Sequence, residues 1–258
     1  MRGDLVGTDG GSGREAPGTV AEPVVSLRMA DGGEVHRPLR DVRARQVVAA
    51  VPWRGTRSVR GQAHYPGYYW SATTSAHVIY ESRLELARLL IADFDPAVTA
   101  IAAQPFWLRA QAGGRVRRHV PDFFLLRAGQ SALLVNVKPK AQLADPEVAG
   151  ALEWPGRLAR AHGWDYEIWT GADPVYLANL RFLAGYRRPW LVPAETADAV
   201  LAAFRPGDTV SALAGRVGPD CRAGDARGAI LRLLWEQRLV TDLHRLLDGD
   251  SVLAASGG

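Results

Sequence analysis

The sequence predicts an α/β domain with a mixed β-sheet flanked by helices, followed by a small C-terminal domain of winged-helix type. Three observations indicate this fold class: a helix-periodic segment after Ser82, a series of strand-like runs behind it, and a helix that separates the last two strands. A helix crossing between strands is typical of an α/β sheet. We therefore expect a flexible tail over residues 1–23, a core domain with an N-terminal extension over 24–190, and the second domain over 191–258.

The N-terminal part carries weaker signals than the core. Residues 1–23 are rich in Gly and poor in large apolar side chains, so they cannot bury enough surface to offset their ordering entropy. From Val24 a short apolar run with a Gly32-Gly33 turn signal predicts a hairpin, and the Arg/Ala/Val segment that follows predicts a short helix. Residues 52–74 mix aromatic and basic side chains without a clear period, which predicts a loop packed on the core.

The core begins with a largely buried helix over residues 82–92, because Leu84, Ala87 and Ile91 recur at helical spacing. Three strand-like runs follow, and turn residues containing Gly separate them. We expect these runs to form an antiparallel meander over residues 98–108, 115–126 and 132–138. A helix over 146–161 then leads to a fourth strand over 165–169.

The C-terminal region has a different pattern. Short amphipathic segments predict three helices, and two apolar runs behind them predict a terminal hairpin. The predicted helices cover residues 194–204, 209–217 and 226–237, and the hairpin strands cover 239–243 and 251–254. Three helices followed by a hairpin indicate a winged helix.

Composition limits the classes of partner and compartment. The chain has 258 residues and a net charge of +4, and its arginines cluster at residues 54–60 and 115–118, which suits a polyanionic partner or an ordinary solvated surface. The lone cysteine, Cys221, excludes an intrachain disulfide framework, and no apolar run has membrane-spanning length. We expect a protein of a reducing cytoplasm that does not insert into a membrane.

Both lysines of the chain, among 31 basic residues, fall in the short run from Leu134 to Lys140. Lysine and arginine differ in geometry, hydration and pKa tuning, so a lysine here is not a generic cation. Side chains two residues apart in a strand share a face, so Asn136 and Lys138 should project together, away from a core-facing Val135 and Val137. Pairing across the preceding turn should bring Asp122 beside them.

These residue types suit the hydrolysis of a phosphodiester with a divalent cation. Asp122 and a helix carboxylate, Glu85 or Glu81, supply hard oxygen ligands for Mg²⁺ or Mn²⁺, and the Asn136 amide and Val137 carbonyl can add to them. Lys138 could orient or deprotonate the attacking water. Taken singly, each residue also has an ordinary structural role, as a strand-start carboxylate, a solvated helix position or a strand-end charge.

The order of motifs resembles a known family, the TnsA-like endonuclease subunits of heteromeric transposases, which have the restriction-endonuclease-like PD-(D/E)xK core. The helix segment from Ser82 to Ala87 is similar to that family's catalytic-glutamate helix. Pro121-Asp122-Phe123-Phe124 is similar to its metal-binding strand, and Asn136-Val137-Lys138-Pro139 to its Gln-Val-Lys-Pro segment. The resemblance implies Glu85 rather than Glu81 as the carboxylate, with Asp122, Asn136 and Lys138 as catalytic residues.

The resemblance also implies an activity and partners. The chain would be a Mg²⁺- or Mn²⁺-dependent endonuclease that cuts the 5′ ends of a mobile element in bacterial cytoplasm, associated with the nucleoid. Its substrate would be double-stranded DNA at the transposon ends, and its partners a TnsB-like transposase and a TnsC-like ATPase regulator. Candidate DNA contacts come from the basic segments: Arg57, Arg60, His64, Arg117, Arg118 and Lys140.

Two other functions agree with the same residues. A stand-alone restriction or repair nuclease would use the predicted winged helix to bind DNA and would cut without partners. A catalytically inactive subunit that only assembles a DNA complex would explain why a neutral residue, Asn136, stands where an acidic residue is usual in this nuclease core.

Overall fold

The computed structural model of the chain describes residues 22–53, 66–112, 114–217 and 223–256. The predicted N-terminal tail therefore lies, except for its last two residues, outside the described residues. Within the described ranges, no helix is long and apolar enough to cross a lipid bilayer.

The described chain begins with a hairpin and a short helix, as the sequence predicts. The hairpin strands are β1 (Val24–Arg28) and β2 (Glu34–Pro38), and the helix is α1 (Ala44–Val48). The two strands pair antiparallel, and Gly32 in the turn adopts a φ of 86°, a conformation that glycine reaches without steric cost.

The loop predicted over residues 52–74 is wrong for part of its length. The strands β3 (Gly67–Ser71) and β4 (Ala76–Tyr80) form an antiparallel hairpin. A buried carboxylate, Asp93, accepts hydrogen bonds from the Tyr69 and Ser71 hydroxyls, at 2.7 and 2.6 Å, and from two backbone N–H groups of the turn. The hairpin is thus fixed by a long-range polar contact that has no local sequence pattern.

The predicted core helix is confirmed as α2 (Arg83–Phe94). Ser82 is its N-cap and accepts a hydrogen bond from the Glu85 N–H at 3.1 Å, which satisfies one of the free donors of the first turn. The helix ends before Asp95-Pro96, because the residue before a proline disfavours helical backbone.

The first two runs of the predicted meander are each split into two strands, so three runs form five strands. They are β5 (Val98–Ala103), β6 (Trp107–Ala112), β7 (Arg115–His119), β8 (Phe123–Arg127) and β9 (Ala132–Val137). The breaks lie at Gln104-Pro105 and Val120-Pro121. Proline removes a ladder donor, and Gln104 has a φ of 44°. Consequently β6 and β7 leave the central sheet and extend the first hairpin in the order β2-β1-β6-β7.

The central sheet is mixed, as predicted. After α3 (Pro146–Ala161), strand β10 (Asp165–Trp169) pairs parallel with β9, while β9, β8 and β5 pair antiparallel in the predicted order. The helices α1 and α3 cover one face and α2 covers the other, and α4 (Pro174–Leu183), a helix that the sequence analysis did not predict, packs against α2. The result is a three-layer α/β/α arrangement consistent with a restriction-endonuclease-like core.

The C-terminal helices lie where the sequence predicts them, whereas the paired strands are shorter. They are α5 (Ala194–Ala203), α6 (Val210–Val217), α7 (Ala223–Trp235), β11 (Leu239–Val240) and β12 (Ala254–Ala255). The two strands pair antiparallel. The winged-helix assignment stays a prediction, as do the domain boundaries.

Apolar side chains are buried on both faces of the central sheet. Phe123, Val135 and Val137 belong to a cluster that continues through α2 and α4 into the C-terminal helices. Phe124 and Leu134 belong to a second cluster under α1 and α3. Both faces of β8 and β9 are therefore core, and only the strand ends are available to a site.

Candidate active site

A cavity of about 890 Å³ lies where the beginning of β8, the end of β9 and the first turn of α2 meet. The described residues that line it include all four predicted catalytic residues: Glu85, Asp122, Asn136 and Lys138. Strand ends and helix starts have backbone polar groups that regular structure does not pair, and they lie at the surface. Charged side chains can therefore reach solvent at this place in the fold.

Asp122 continues the β8 ladder by one residue. Its N–H donates to the Val135 carbonyl at 3.1 Å, and its own carbonyl accepts from the Gln104 N–H at 2.9 Å. Its Oδ2 accepts a hydrogen bond from the Val137 N–H at 2.6 Å. The aspartate is thus held by backbone on both sides, and its carboxylate is directed to the end of β9.

Glu85 belongs to the capped first turn of α2. Its carboxylate accepts the Glu81 N–H at 2.8 Å and the Ser82 hydroxyl at 3.0 Å, while Ser82 caps the Glu85 N–H. This reciprocal pattern differs from a capping box in that the carboxylate accepts the N–H of the residue before the cap, and it fixes the side chain at the helix start. Burial raises the pKa of Glu85, and these two hydrogen bonds oppose the rise.

The charges of the cavity influence one another. Burial raises the pKa of Asp122 to about 7, the Val137 N–H and Lys138 oppose the rise, and Glu85 and Glu81 add to it. Lys138 likewise lowers the pKa of Glu85. Partly desolvated carboxylates beside one another favour any added positive charge, either a proton or a metal cation.

The donor atoms fit a hard divalent cation. Glu85 and Asp122 supply carboxylate oxygens, and the Val137 carbonyl projects to the same side of β9 as its N–H, which bonds Asp122. Mg²⁺ is commonly held by one or two carboxylates, with water and substrate phosphate completing its shell. Among the described residues, no group of three or more His, Cys, Asp or Glu side chains is arranged around one point. A bound cation would therefore need oxygens of water and of the substrate phosphate in addition to the two carboxylates.

Asn136 lies in the wall of the cavity, but its amide is engaged elsewhere. The residue is only 1% exposed. Its Oδ1 is 2.8 Å from His119 Nε2, and its Nδ2 donates to the Tyr166 hydroxyl at 2.9 Å. Val135 and Val137 face a core, as predicted, and α3 covers the Asn136 face as well.

The predicted DNA contacts separate into three groups. Arg118 is exposed and lines the cavity. Arg117 lies on the other face of β7 and is partly buried, and Lys140 is exposed in the turn beyond the end of β9, outside the cavity lining. The remaining candidates fall outside the described residues: Arg57, Arg60 and His64.

Two side chains of this region were not among the predicted catalytic residues. The contact of His119 with Asn136 has no signal in the spacing of the sequence. Tyr166 reaches Asn136 because β10 runs parallel to β9, beside α3. His119 and Tyr166 could have been named as candidates from their residue types. No feature of the sequence predicts that both contact Asn136.

A mixed sheet between helices, with carboxylates from a helix start and a strand start beside a strand-end lysine, is the arrangement expected of a restriction-endonuclease-like core. Residues 95–171 match the family model described as TnsA-like endonuclease N terminal. This segment is thus similar to the N-terminal domain of TnsA-like endonucleases, and the resemblance seen in the sequence is confirmed over residues 95–171. The match includes Asp122, Asn136 and Lys138, while Glu85 precedes it. No curated protein matches the chain.

Proposed function

We propose that the protein is a divalent-metal-dependent DNA endonuclease subunit of cut-and-paste transposition, which hydrolyses the phosphodiester at the 5′ ends of the element. A TnsB-like transposase would cut the other strand, and a TnsC-like ATPase would regulate both. The observation that carries the proposal is the shared cavity of Glu85, Asp122 and Lys138 in a chain whose segment 95–171 matches TnsA-like endonucleases.

The surroundings of the cavity support a DNA backbone as substrate. Arg118 and Lys138 are the cationic side chains among the described residues that line it. Arg118 lies opposite Arg109 in the β6–β7 ladder, and both are exposed. Trp107 of the same strand also lines the cavity. Exposed arginines leading to a carboxylate site suit a polyanion that needs both steering and local neutralisation.

Each residue has a defined part in the proposed chemistry. Glu85, Asp122 and the Val137 carbonyl would hold Mg²⁺ or Mn²⁺, and the chemistry supplied by the bound cation is neutralisation of charge developing on the phosphoryl oxygens. The Lys138 ammonium, close enough to both carboxylates to lower their pKa values, orients the attacking water and holds a proton near the reacting phosphate.

The test is nicking of DNA that carries the ends of the element, with Mg²⁺ or Mn²⁺, with and without a TnsB-like transposase. Asp122→Asn and Lys138→Ala should each lose more than about 1000-fold in rate, the scale for removal of a group that stabilises the transition state. Asp198→Asn is the matched control, because this exposed carboxylate in α5 lies outside the cavity lining.

The outcomes separate the candidate functions. Nicking that needs the transposase supports the heteromeric role, and nicking without it supports a stand-alone restriction or repair nuclease. Intact DNA binding with no nicking under any combination would contradict the nuclease proposal and favour an assembly subunit.

A further inference from the structure

We propose that Asn136 and Tyr166 are positioning residues that fix the His119 ring with a proton on Nε2, and that this ring contacts the DNA backbone in the cavity by packing against it. The contact with DNA rests on the proposed nuclease function, while the positioning does not. Asn136 would then act through His119 instead of holding the metal ion.

The direction of the hydrogen bonds follows from the acceptor at the far end of the chain. The Leu152 carbonyl lies 2.6 Å from the Tyr166 hydroxyl and can only accept, so the Tyr166 proton is donated there. The Tyr166 oxygen must then accept from Asn136, at 2.9 Å, which requires the amide nitrogen on that side. The Asn136 Oδ1 therefore faces His119.

The same logic fixes the state of the histidine. An amide oxygen can only accept, so the His119 Nε2, at 2.8 Å, must carry a proton and donate it. Burial raises the pKa of Tyr166 to about 12, so the phenol keeps its proton at any physiological pH. The donor end of the chain is thus always present.

Packing keeps the three side chains in place. Asn136 is 1% exposed, and the Tyr166 ring lies against Gly156 of α3, where an added Cβ would be 2.6 Å from the ring. The Trp154 ring meets His119 edge-on, with centroids 6.0 Å apart. A buried network that is satisfied along its length specifies one orientation of its members.

Of the two rings in this network, His119 is the one that lines the cavity. It lines the cavity together with Arg118 and Asp122, between a cation proposed to meet the backbone and the carboxylate proposed to hold the metal. An oriented ring at this place suits packing against a sugar of the DNA backbone, because its Nε2 proton is already donated to Asn136.

The first experiment reads the tautomer directly, by nitrogen-15 NMR of histidine-labelled protein, with the His119 signal assigned by its loss in His119→Gln. We expect the Nε2-protonated form in the wild type, and a changed signal in Asn136→Ala and in Tyr166→Phe. The second variant keeps the ring and so retains a test if Asn136→Ala does not fold. A wild-type ring protonated on Nδ1 alone would overturn the proposal.

The second experiment separates positioning from metal binding, by calorimetric titration with Mn²⁺. Asn136→Ala and His119→Gln should bind Mn²⁺ within about twofold of the wild type, whereas Asp122→Asn should lose binding. In nicking assays Asn136→Ala and His119→Gln should each lose roughly 10- to 100-fold in kcat/KM, the scale for a misplaced group beside the reacting phosphate, and the double variant should be no worse than either single variant.

Loss of Mn²⁺ binding in Asn136→Ala equal to that in Asp122→Asn would make Asn136 a ligand and overturn the positioning role. Absence of nicking in the wild type would contradict the proposed nuclease instead, and the tautomer and Mn²⁺ affinities would still decide the role of Asn136.

Discussion

Two aspartates, one near each end of α2, show how a carboxylate with a structural role differs from a carboxylate available for chemistry. Asp93, at the end of α2, accepts two hydroxyl and two backbone N–H hydrogen bonds from the β3–β4 hairpin and its turn. Asp122, beside the start of α2, accepts the Val137 N–H, and burial raises its pKa to about 7 although Lys138 is nearby. The surrounding donors satisfy the oxygens of the Asp93 carboxylate, whereas the Asp122 carboxylate can still bind a proton, a cation or a substrate group.

The largest expected effect is on stability, from removal of the structural carboxylate. Asp93→Ala leaves four donors without their acceptor in a buried site, so we expect the free energy of unfolding to fall by about 3–5 kcal/mol. Urea unfolding measures it. Asp198→Asn, at an exposed position, should change the free energy by less than about 0.5 kcal/mol. An equally small change in Asp93→Ala would erase the contrast between the two aspartates.

Metal addition should act on the other aspartate. If the cavity binds Mg²⁺ or Mn²⁺ in the folded state alone, a concentration of about 100 times Kd stabilises the protein by about 2.7 kcal/mol. We expect a rise in Tm with metal for the wild type and for Asp198→Asn, reversed by a chelator, and none for Asp122→Asn. A rise that persists in Asp122→Asn would locate the metal elsewhere.

The pH dependence of the metal-free protein sharpens the comparison. A native pKa of about 7 for Asp122 lies above its ordinary value, so between about pH 4 and 7 the native state binds more protons than the unfolded state. Stability contributed by this group therefore falls as pH rises through that window. Asp122→Asn should exceed the wild type by about 1–3 kcal/mol at pH 8 and by little near pH 4, as measured by urea unfolding in chelator. A variant less stable than the wild type at pH 8 would contradict the assigned electrostatics.

The smallest expected effect concerns the rim of the cavity. Arg118→Ala should weaken DNA binding by about 1 kcal/mol and reduce the salt dependence of binding by about one ion, without changing Mn²⁺ affinity. Fluorescence anisotropy across a salt series measures both quantities. Loss of Mn²⁺ binding in this variant would mean that the arginine also maintains the carboxylate site.

The sequence predicted the strand order of the central sheet better than it predicted where the strands end. Strand order and the mixed pairing followed from turns and a crossover helix, which are local signals. The split of the meander at Gln104-Pro105 and Val120-Pro121 was missed because apolar alternation continues across both prolines. The β3–β4 hairpin was missed because its anchor, Asp93, is distant in sequence.

The candidate site likewise has a part that the sequence predicted and a part that it did not. Asp122 and Lys138 were chosen from residue type and spacing, and Glu85 from the family resemblance, and the fold brings all three to one cavity. The surroundings of Asn136 were not predictable, because they depend on the parallel register of β10 and on the packing of α3 over that face.

The proline breaks have a consequence for how this scaffold can change. Asp122 sits at the seam where one long hairpin passes from the central sheet to the outer one, and the Gln104 N–H fastens it from the neighbouring strand. The outer half, β6 and β7, ends in a turn far along the ladder from that seam. We therefore expect insertions and sequence exchange at the β6–β7 turn to be tolerated as modular variation, altering which DNA is engaged while the chemical centre stays in register.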